Sequence, residues 1–287
     1  MKTYATQPRA EPVAAKPCPI CGRQDAKELW NLGDFEFKRC PSCGLIRQEP
    51  QSLASAVLSR YGKEYLEYEV PRQFMYRDLE LLGLEDIGFE DACVDYFAKA
   101  KAEGRSPKIL DVGCATGALL AELKSRGWST VGVEACEPAA AYAREHFGLD
   151  ARYTTLGDAK FETASFEAVH ASHLIEHLND PADFLDEVAR VLVPDGILAL
   201  TTPNADGLQA RILGPRWRSA IYDHLYLFSL RTLERLLEKK GFRLERVSTW
   251  GGWALGQKPE FLKAPLDRVA KAFGFGDVMA LLARRLP

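Results

Sequence analysis

Ile109-Leu-Asp-Val-Gly-Cys-Ala-Thr-Gly117, continued by Ala118-Leu-Leu-Ala-Glu-Leu-Lys124, reads as a buried strand, a turn of small residues and an amphipathic helix. That succession is the first unit of an α/β nucleotide-binding sheet. Small residues let a ligand's polar groups approach the main chain, and the unpaired amides at the helix start are free to bind them. Gly113 and Gly117 enclose Cys114, Ala115 and Thr116, so there is no Gly-x-Gly-x-x-Gly and the turn implies a cofactor other than a dinucleotide.

Downstream, the strand and helix signals alternate. Thr130-Val-Gly-Val-Glu134 is a second strand ending in a carboxylate that can accept from both hydroxyls of a ribose. A helix from Ala139 to Phe147, a short strand Ala151 to Thr154 and a strand Phe166 to Ala171 follow. Asp180 as N-cap and Pro181 at the first helical position predict a helix to about Leu192, and Pro194-Asp-Gly196 turns into a fifth strand, Ile197 to Thr202. Ser229 caps a helix ending near Lys240, before a sixth strand from Phe242 to Thr249. Asp277 to Arg284 reads either as a seventh, antiparallel strand or as a basic amphipathic helix.

The turn resembles motif I of the class I S-adenosylmethionine-dependent methyltransferases, Asp-x-Gly-x-Gly-x-Gly, with Ala115 at the place of the middle glycine. Glu134 lies 17 residues beyond Gly117, the family's spacing, and Asp180 to Gly196 follows the family's Asp-Pro-x-x-Phe-Leu-x-Glu-x-x-Arg-x-Leu-x-Pro-x-Gly pattern. The resemblance spans most of residues 107 to 250 and implies a Rossmann-like, seven-stranded α/β sheet. It also implies that S-adenosylmethionine is held by Asp111, Gly113, Cys114, Ala115, Thr116, Gly117, Glu134, Ala135, Thr155, Leu156 and Ser172. Leu156 is expected to pack on the adenine, with Asp158 a solvated turn residue. The stretch from Tyr61 to Tyr76 resembles the N-terminal cover of many such enzymes, with Tyr65 and Tyr76 as candidate substrate contacts.

Ahead of this domain stand Cys18-Pro-Ile-Cys21-Gly22 and, eighteen residues later, Cys40-Pro-Ser-Cys43-Gly44. Each pair forms a knuckle presenting two thiolates, and four thiolates complete a tetrahedral Zn²⁺ site with no open position, hence structural. A unit of about thirty residues buries too little apolar area to fold alone, and the metal supplies the missing free energy. The expected organisation is a flexible tail over 1–16, a zinc ribbon over 17–50, a helical cover over 51–106 interrupted near Gly83 and Gly88, and the methyltransferase domain over 107–287. Within that domain, residues 205–228 form a lid whose Trp217, Tyr222, Asp223, His224 and Tyr226 suit a substrate pocket.

His173, His177 and His224 are the candidate catalytic residues, whereas His146 and His170 read as structural. Helical winding over 173–177 would place His173, Glu176 and His177 on one face. The segment resembles the Glu-x-x-Glu-His motif of ubiquinone O-methyltransferases and plant small-RNA terminal methyltransferases, which with a later His binds a divalent metal. Here His173 replaces the first Glu and His224 is available as the later His. Three roles stay open: Glu176 and His177 bracing the loop, a second divalent metal near His173, Glu176 and His177, or His173 or His224 as a metal-free general base.

Composition narrows the function. With 47% apolar and 27% charged residues and a net charge of −3, the chain reads as an ordinary globular protein lacking the basic surface that nucleic acid requires. No apolar run has signal-peptide or membrane-spanning character, which predicts a cytoplasmic protein without a transmembrane segment. The knuckles followed by Tyr-x-x-x-Tyr also resemble nucleotide-sugar C-methyltransferases. The expectation is methyl transfer to a small-molecule acceptor, preferentially a hydroxyl of a sugar, glycan precursor or related metabolite. An RNA methyltransferase that reads RNA through the ribbon and a non-catalytic cofactor-binding module are the alternatives.

Overall fold

The structure, a computed structural model, describes residues 12–13, 16–52, 62–252 and 263–287. Most of the expected N-terminal tail, and Tyr61 at the head of the cover, lie outside them.

The N-terminal unit holds β1 (Pro12–Val13), β2 (Lys27–Asn31), β3 (Glu36–Arg39), β4 (Ile46–Glu49) and β5 (Gln51–Ser52). The cover follows as helices α1 (Lys63–Glu69), α2 (Gln73–Asp86) and α3 (Phe89–Ala102). The main domain then alternates β6 (Lys108–Val112), α4 (Ala118–Ser125), β7 (Ser129–Glu134), α5 (Glu137–Phe147), β8 (Asp150–Tyr153), β9 (Phe166–Ser172), α6 (Pro181–Val191) and β10 (Leu192–Pro203). It closes with α7 (Leu208–Leu213), β11 (Tyr226–Leu227), α8 (Leu230–Lys239), β12 (Phe242–Trp250), α9 (Lys263–Ala272) and β13 (Val278–Arg285).

Seven strands form one sheet in the order β8-β7-β6-β9-β10-β13-β12. The first five are parallel, and β13 runs antiparallel between β10 and β12. The C-terminal segment is therefore a strand. Its residues Val278 to Ala283 are all buried, as an interior strand covered on both faces requires.

Side-chain alternation along the strands sorts the core into two layers. Leu110, Val169, Leu198 and Leu281 face Leu185 and Val188 of α6 and Leu233, Leu236 and Leu237 of α8. Ile109, Ala168, Ile197 and Leu282 face Leu84 and Ile87 of the cover and Leu119 and Leu123 of α4. Asp180 caps α6 by accepting from the Asp183 amide at 3.1 Å, and Ser229 and Thr232 form a capping box at the start of α8.

Gly83 does not interrupt the cover. It lies inside α2, where a Cβ would stand 3.2 Å from the Trp250 ring, so the glycine permits close approach of helix to strand. The break falls instead at Gly88, whose φ is +61°.

The ribbon is not a detached appendage. A four-stranded sheet runs β11-β4-β3-β2, its outer strand supplied by residues 226 and 227 of the lid. Phe37 and Ile46 of the ribbon share an apolar cluster with Ala210, Trp217, Ala220 and Leu227. Cys18, Cys40, Cys43 and Leu45 pack into the main core beside Leu225 and Phe228.

Candidate active site

The turn after β6 carries backbone that side chains tolerate poorly. Gly113 and Gly117 have φ of +82° and +78°, and Ala115 between them is held at +46°. The left-handed region costs an L-residue about 1 kcal/mol. The Ala115 amide donates to Glu134 Oε2 at 2.9 Å, and the Cys136 amide donates to Oε1 at 2.8 Å, so the carboxylate that ends β7 is aimed at the turn. Burial raises the Glu134 carboxyl, and these amides act against it. Gly132 makes room for the turn, since a Cβ there would lie 2.5 Å from Cys114 Sγ.

Asp111 is buried near the end of β6, with His170 Nδ1 of the neighbouring β9 at 2.7 Å from Oδ1. Burial works against a charge on His170, but Asp111 prevails and raises its pKa. His170, expected to be merely structural, thus fixes the orientation of Asp111.

Above these strand ends opens a cavity of about 860 Å³. Asp111, Gly113, Cys114, Ala115, Thr116, Glu134, Ala135, Thr155, Leu156 and Ser172 line it. Gly117 does not. A Cβ on Gly117 would lie 2.7 Å from Leu149 and 2.9 Å from Ala143, so this glycine serves the packing of α4 on α5. Asp158 accepts from the Thr155 hydroxyl at 2.7 Å and braces an exposed turn.

The opposite wall is the cover. Tyr65, Glu69, Gln73, Tyr76, Arg77 and Glu80 all face the cavity. Sequence reading did not single out the four that are not tyrosines, because polar residues on a helix usually mark its solvent face. Burial lifts Glu69 and Glu80 each to about 7, helped by neighbouring carboxylates. Gln73, 6% exposed, donates to Tyr142 Oη at 3.0 Å, while its Oε1 has no hydrogen-bond partner among the described residues. A cavity with the Glu134 carboxylate on one wall, and two half-buried carboxyl groups and an amide oxygen without a partner among the described residues on the other, suits a polar, cationic ligand.

Beyond β9 the chain winds as a short 3₁₀ turn over Ile175–His177, not as an α-helix. His173 precedes it at φ +49°, its amide donating to Thr201 O at 2.9 Å. Its Nδ1 lies 3.3 Å from Glu176 Oε1, and the Thr202 hydroxyl donates to Oε2 at 2.9 Å. Burial works to raise Glu176, yet the His173 hydrogen bond and the surrounding imidazoles hold it far below the usual carboxylate range. An ionised Glu176 only accepts, so His173 donates to it from Nδ1, and His173 lines the cavity.

His177 Nδ1 donates to Asp223 O at 2.8 Å, and His224 Nδ1 donates to Ser219 O at 2.9 Å. The two ring centres lie 4.7 Å apart, at an edge-on angle. Ligand atoms of Glu176, His177 and His224 all lie within 4.8 Å of one another. His224 is buried and does not line the cavity, and burial pushes it down to about 3, so it stays neutral.

The lid aromatics are turned away from the cavity. Trp217 is buried with its indole N–H on Asp277, Tyr222 meets Phe35 of the ribbon edge-on at 5.4 Å, and Tyr226 is buried in β11. Of the lid, only Arg218 lines the cavity. In the ribbon, Cys18 and Cys43 Sγ are 3.4 Å apart and Cys21 and Cys40 Sγ 3.5 Å. All four fall within 4.8 Å of one another, near the ~3.8 Å edge of a tetrahedron with ~2.3 Å Zn–S bonds.

The family model described as a methyltransferase domain matches residues 88–247. The chain is 33% identical over 114 residues to the ubiquinone biosynthesis O-methyltransferase of Hahella chejuensis, covering 38% of this chain and 48% of that one. It is 33% identical over 157 residues to the human mitochondrial ubiquinone biosynthesis O-methyltransferase, covering 49% and 42%. The chain thus spans about half the length of the curated relatives it matches. Among solved structures, a SAM-dependent methyltransferase from Archaeoglobus fulgidus superimposes with a TM-score of 0.53 at 18% identity, covering 77% of this chain and 99% of that one. At that identity the likeness speaks for the fold. The family match, by contrast, takes in the turn, Glu134 and the Asp180–Gly196 segment, and it extends over more than half of the 287 residues. This chain belongs to the class I S-adenosylmethionine-dependent methyltransferases.

Proposed function

We propose that the chain transfers the methyl group of S-adenosylmethionine to a hydroxyl of a small molecule, a sugar, glycan precursor or related metabolite. The observation that carries the reading is the cluster Glu176, His177 and His224 beside the cofactor cavity, with His173 between them and the strand ends. The matched relatives named as O-methyltransferases agree with oxygen as the acceptor.

The cofactor supplies an already activated methyl group, so the residues must mainly align the acceptor and exclude water. Glu134 accepts from the ribose, Leu156 packs under the adenine, and Asp111 and Ser172 lie towards the methionine end. His173, oriented by Glu176 through Nδ1, receives the acceptor's proton at Nε2.

Glu176, His177 and His224 fit a divalent cation, because two imidazoles, each fixed through Nδ1 by a main-chain carbonyl, stand with a buried carboxylate so that their ligand atoms lie within 4.8 Å of one another. A cation there would hold the acceptor hydroxyl and lower its pKa. Two nitrogens in three ligands favour zinc- or iron-like ions over Mg²⁺. The Cys18, Cys21, Cys40 and Cys43 cluster holds a structural zinc in this reading, and its seat inside the core beside Leu225 supports a scaffold rather than an RNA reader.

Incubating methyl-labelled cofactor with polar metabolites, phenolic acceptors and RNA tests the proposal. Label in an alkali-stable ether of a small molecule is expected. Label in RNA, in a C- or N-methyl product, or in no fraction overturns it.

A further inference from the structure

Resting on the cofactor site just described, we propose that Glu80, on the cover helix, is the residue that recognises the α-ammonium of the cofactor's methionine end. The placement follows from strand order. Glu134 at the tip of β7 takes the ribose, and β6 and then β9 lie beside β7. A ligand anchored by its ribose at β7 and running across the turn therefore puts its amino-acid end over β6 and β9, where Asp111 and Ser172 line the cavity. Glu80 lines the cavity at this end, with the Ser172 hydroxyl, Asp111, His170 and His173 as its neighbours.

Two nearby carboxylates are already engaged. Asp111 is paired with His170 at 2.7 Å. Glu134 takes two main-chain amides at the ribose end. Glu80 has no cationic side chain bonded to it among the described residues, and Arg77 on its own helix pairs with Asp78.

A second observation points to a ligand on this helix face. Glu69, Gln73, Tyr76 and Glu80 recur at helical spacing along one wall of the cavity, and the buried Gln73 Oε1 on it has no hydrogen-bond partner. A buried amide oxygen without a partner is costly and is ordinarily satisfied by a bound group. The wall thus offers acceptors along its length, and a cation is the partner a half-buried carboxylate such as Glu80 requires. Its charged and titratable surroundings are Asp111 from β6, His170 and His173 from β9 and the loop after it, Glu69 from α1 and Arg77 from α2.

Calorimetry on the whole chain tests the assignment with S-adenosylmethionine, S-adenosylhomocysteine and desamino-S-adenosylhomocysteine, in which hydrogen replaces the α-ammonium. Glu80→Gln should weaken the first two by roughly 10- to 100-fold and the desamino compound by less than about threefold, as expected for losing one charge-assisted hydrogen bond. Equal losses for all three ligands, or no loss, overturn the assignment. Glu134→Ala separates this outcome from failure of the site itself, since it should weaken all three ligands alike, and a parent chain that binds none refutes the underlying reading. Should Glu80→Gln fail to fold, the parent decides. In buffers of different ionisation enthalpy near pH 6.5, S-adenosylhomocysteine should release more protons than the desamino compound, and equal release overturns the proposal.

Discussion

The side-chain amide of Gln48, in the ribbon strand β4, donates to the main-chain oxygen of Tyr222 in the lid at 2.8 Å. The same nitrogen lies 3.3 Å from His224 O, and the Gln48 amide N–H donates to Leu225 O at 2.8 Å. One fully buried ribbon residue thus holds the main chain on both sides of Asp223, whose carbonyl orients His177, and the backbone of His224 itself.

Gln48→Leu should therefore cost about 1–3 kcal/mol, the penalty for leaving buried carbonyls without a donor. Thermal denaturation reads that loss. Turnover should fall while cofactor affinity, measured by calorimetry, stays within about threefold, because Gln48 is remote from Glu134. Equal damage to both would show that the ribbon supports the whole domain and not the lid.

His173→Gln should lower kcat by roughly 10²- to 10⁴-fold, the range for removal of a general base, with cofactor affinity nearly intact. Steady-state kinetics with the identified acceptor makes the comparison. An unchanged kcat would leave alignment alone to account for transfer.

Loss of the zinc proposed for the ribbon should loosen two segments together. Cys43→Ser should abolish stoichiometric zinc and expose both residues 16–52 and the lid at 205–228 to trypsin, because the two share an apolar cluster. Mass spectrometry of the fragments locates the cuts. Cleavage confined to the ribbon would contradict the shared core.

Ala115→Gly should stabilise the chain by about 0.5–1 kcal/mol, since φ of +46° strains alanine and not glycine. Chemical denaturation with an unchanged slope checks it. A destabilised variant would mean that the methyl packs more than it strains.

Acidity should stabilise the cofactor-free chain in a defined window. Glu69 and Glu80 rise from 4.5 to about 7 on folding, so between these values the native state binds more protons than the unfolded one. Their contribution is fully present below about pH 4.5 and is lost as pH climbs through about 7. Glu176 is shifted in the opposite direction and acts only below this window. The Tm difference between the parent and the Glu69→Gln, Glu80→Gln double variant should therefore change across pH 4.5 to 7 and level off beyond it.

The sheet was legible in the chain because its signals are local. Ile109, Leu110 and Val112 make an apolar strand around Asp111, Asp180 and Ser229 are caps, and Glu134 stands one strand past the turn. Gly83 misled because a glycine's helix-breaking tendency says nothing of the Trp250 ring that makes the glycine necessary. The lid misled for a similar reason. Trp217 and Tyr222 look like pocket residues until Asp277 and Phe35, distant in sequence, are brought against them. Glu80 and Gln73 stayed hidden because a helix's wet face and its ligand-facing side have the same composition.

The junction of β11 with β4 also sets an order of events during synthesis. Arg47 pairs with Tyr226, so a ribosome releases one partner long before the other exists. Until the chain has been extended past the lid, β4 presents a bare edge and the thiols beside it lack their apolar cover. Loading with metal can shape the nascent ribbon, but only the late arrival of residues 226 and 227 finishes its sheet. The ribbon emerges before the main sheet yet is completed after most of it, and a truncated product would leave that edge open to pairing with another chain.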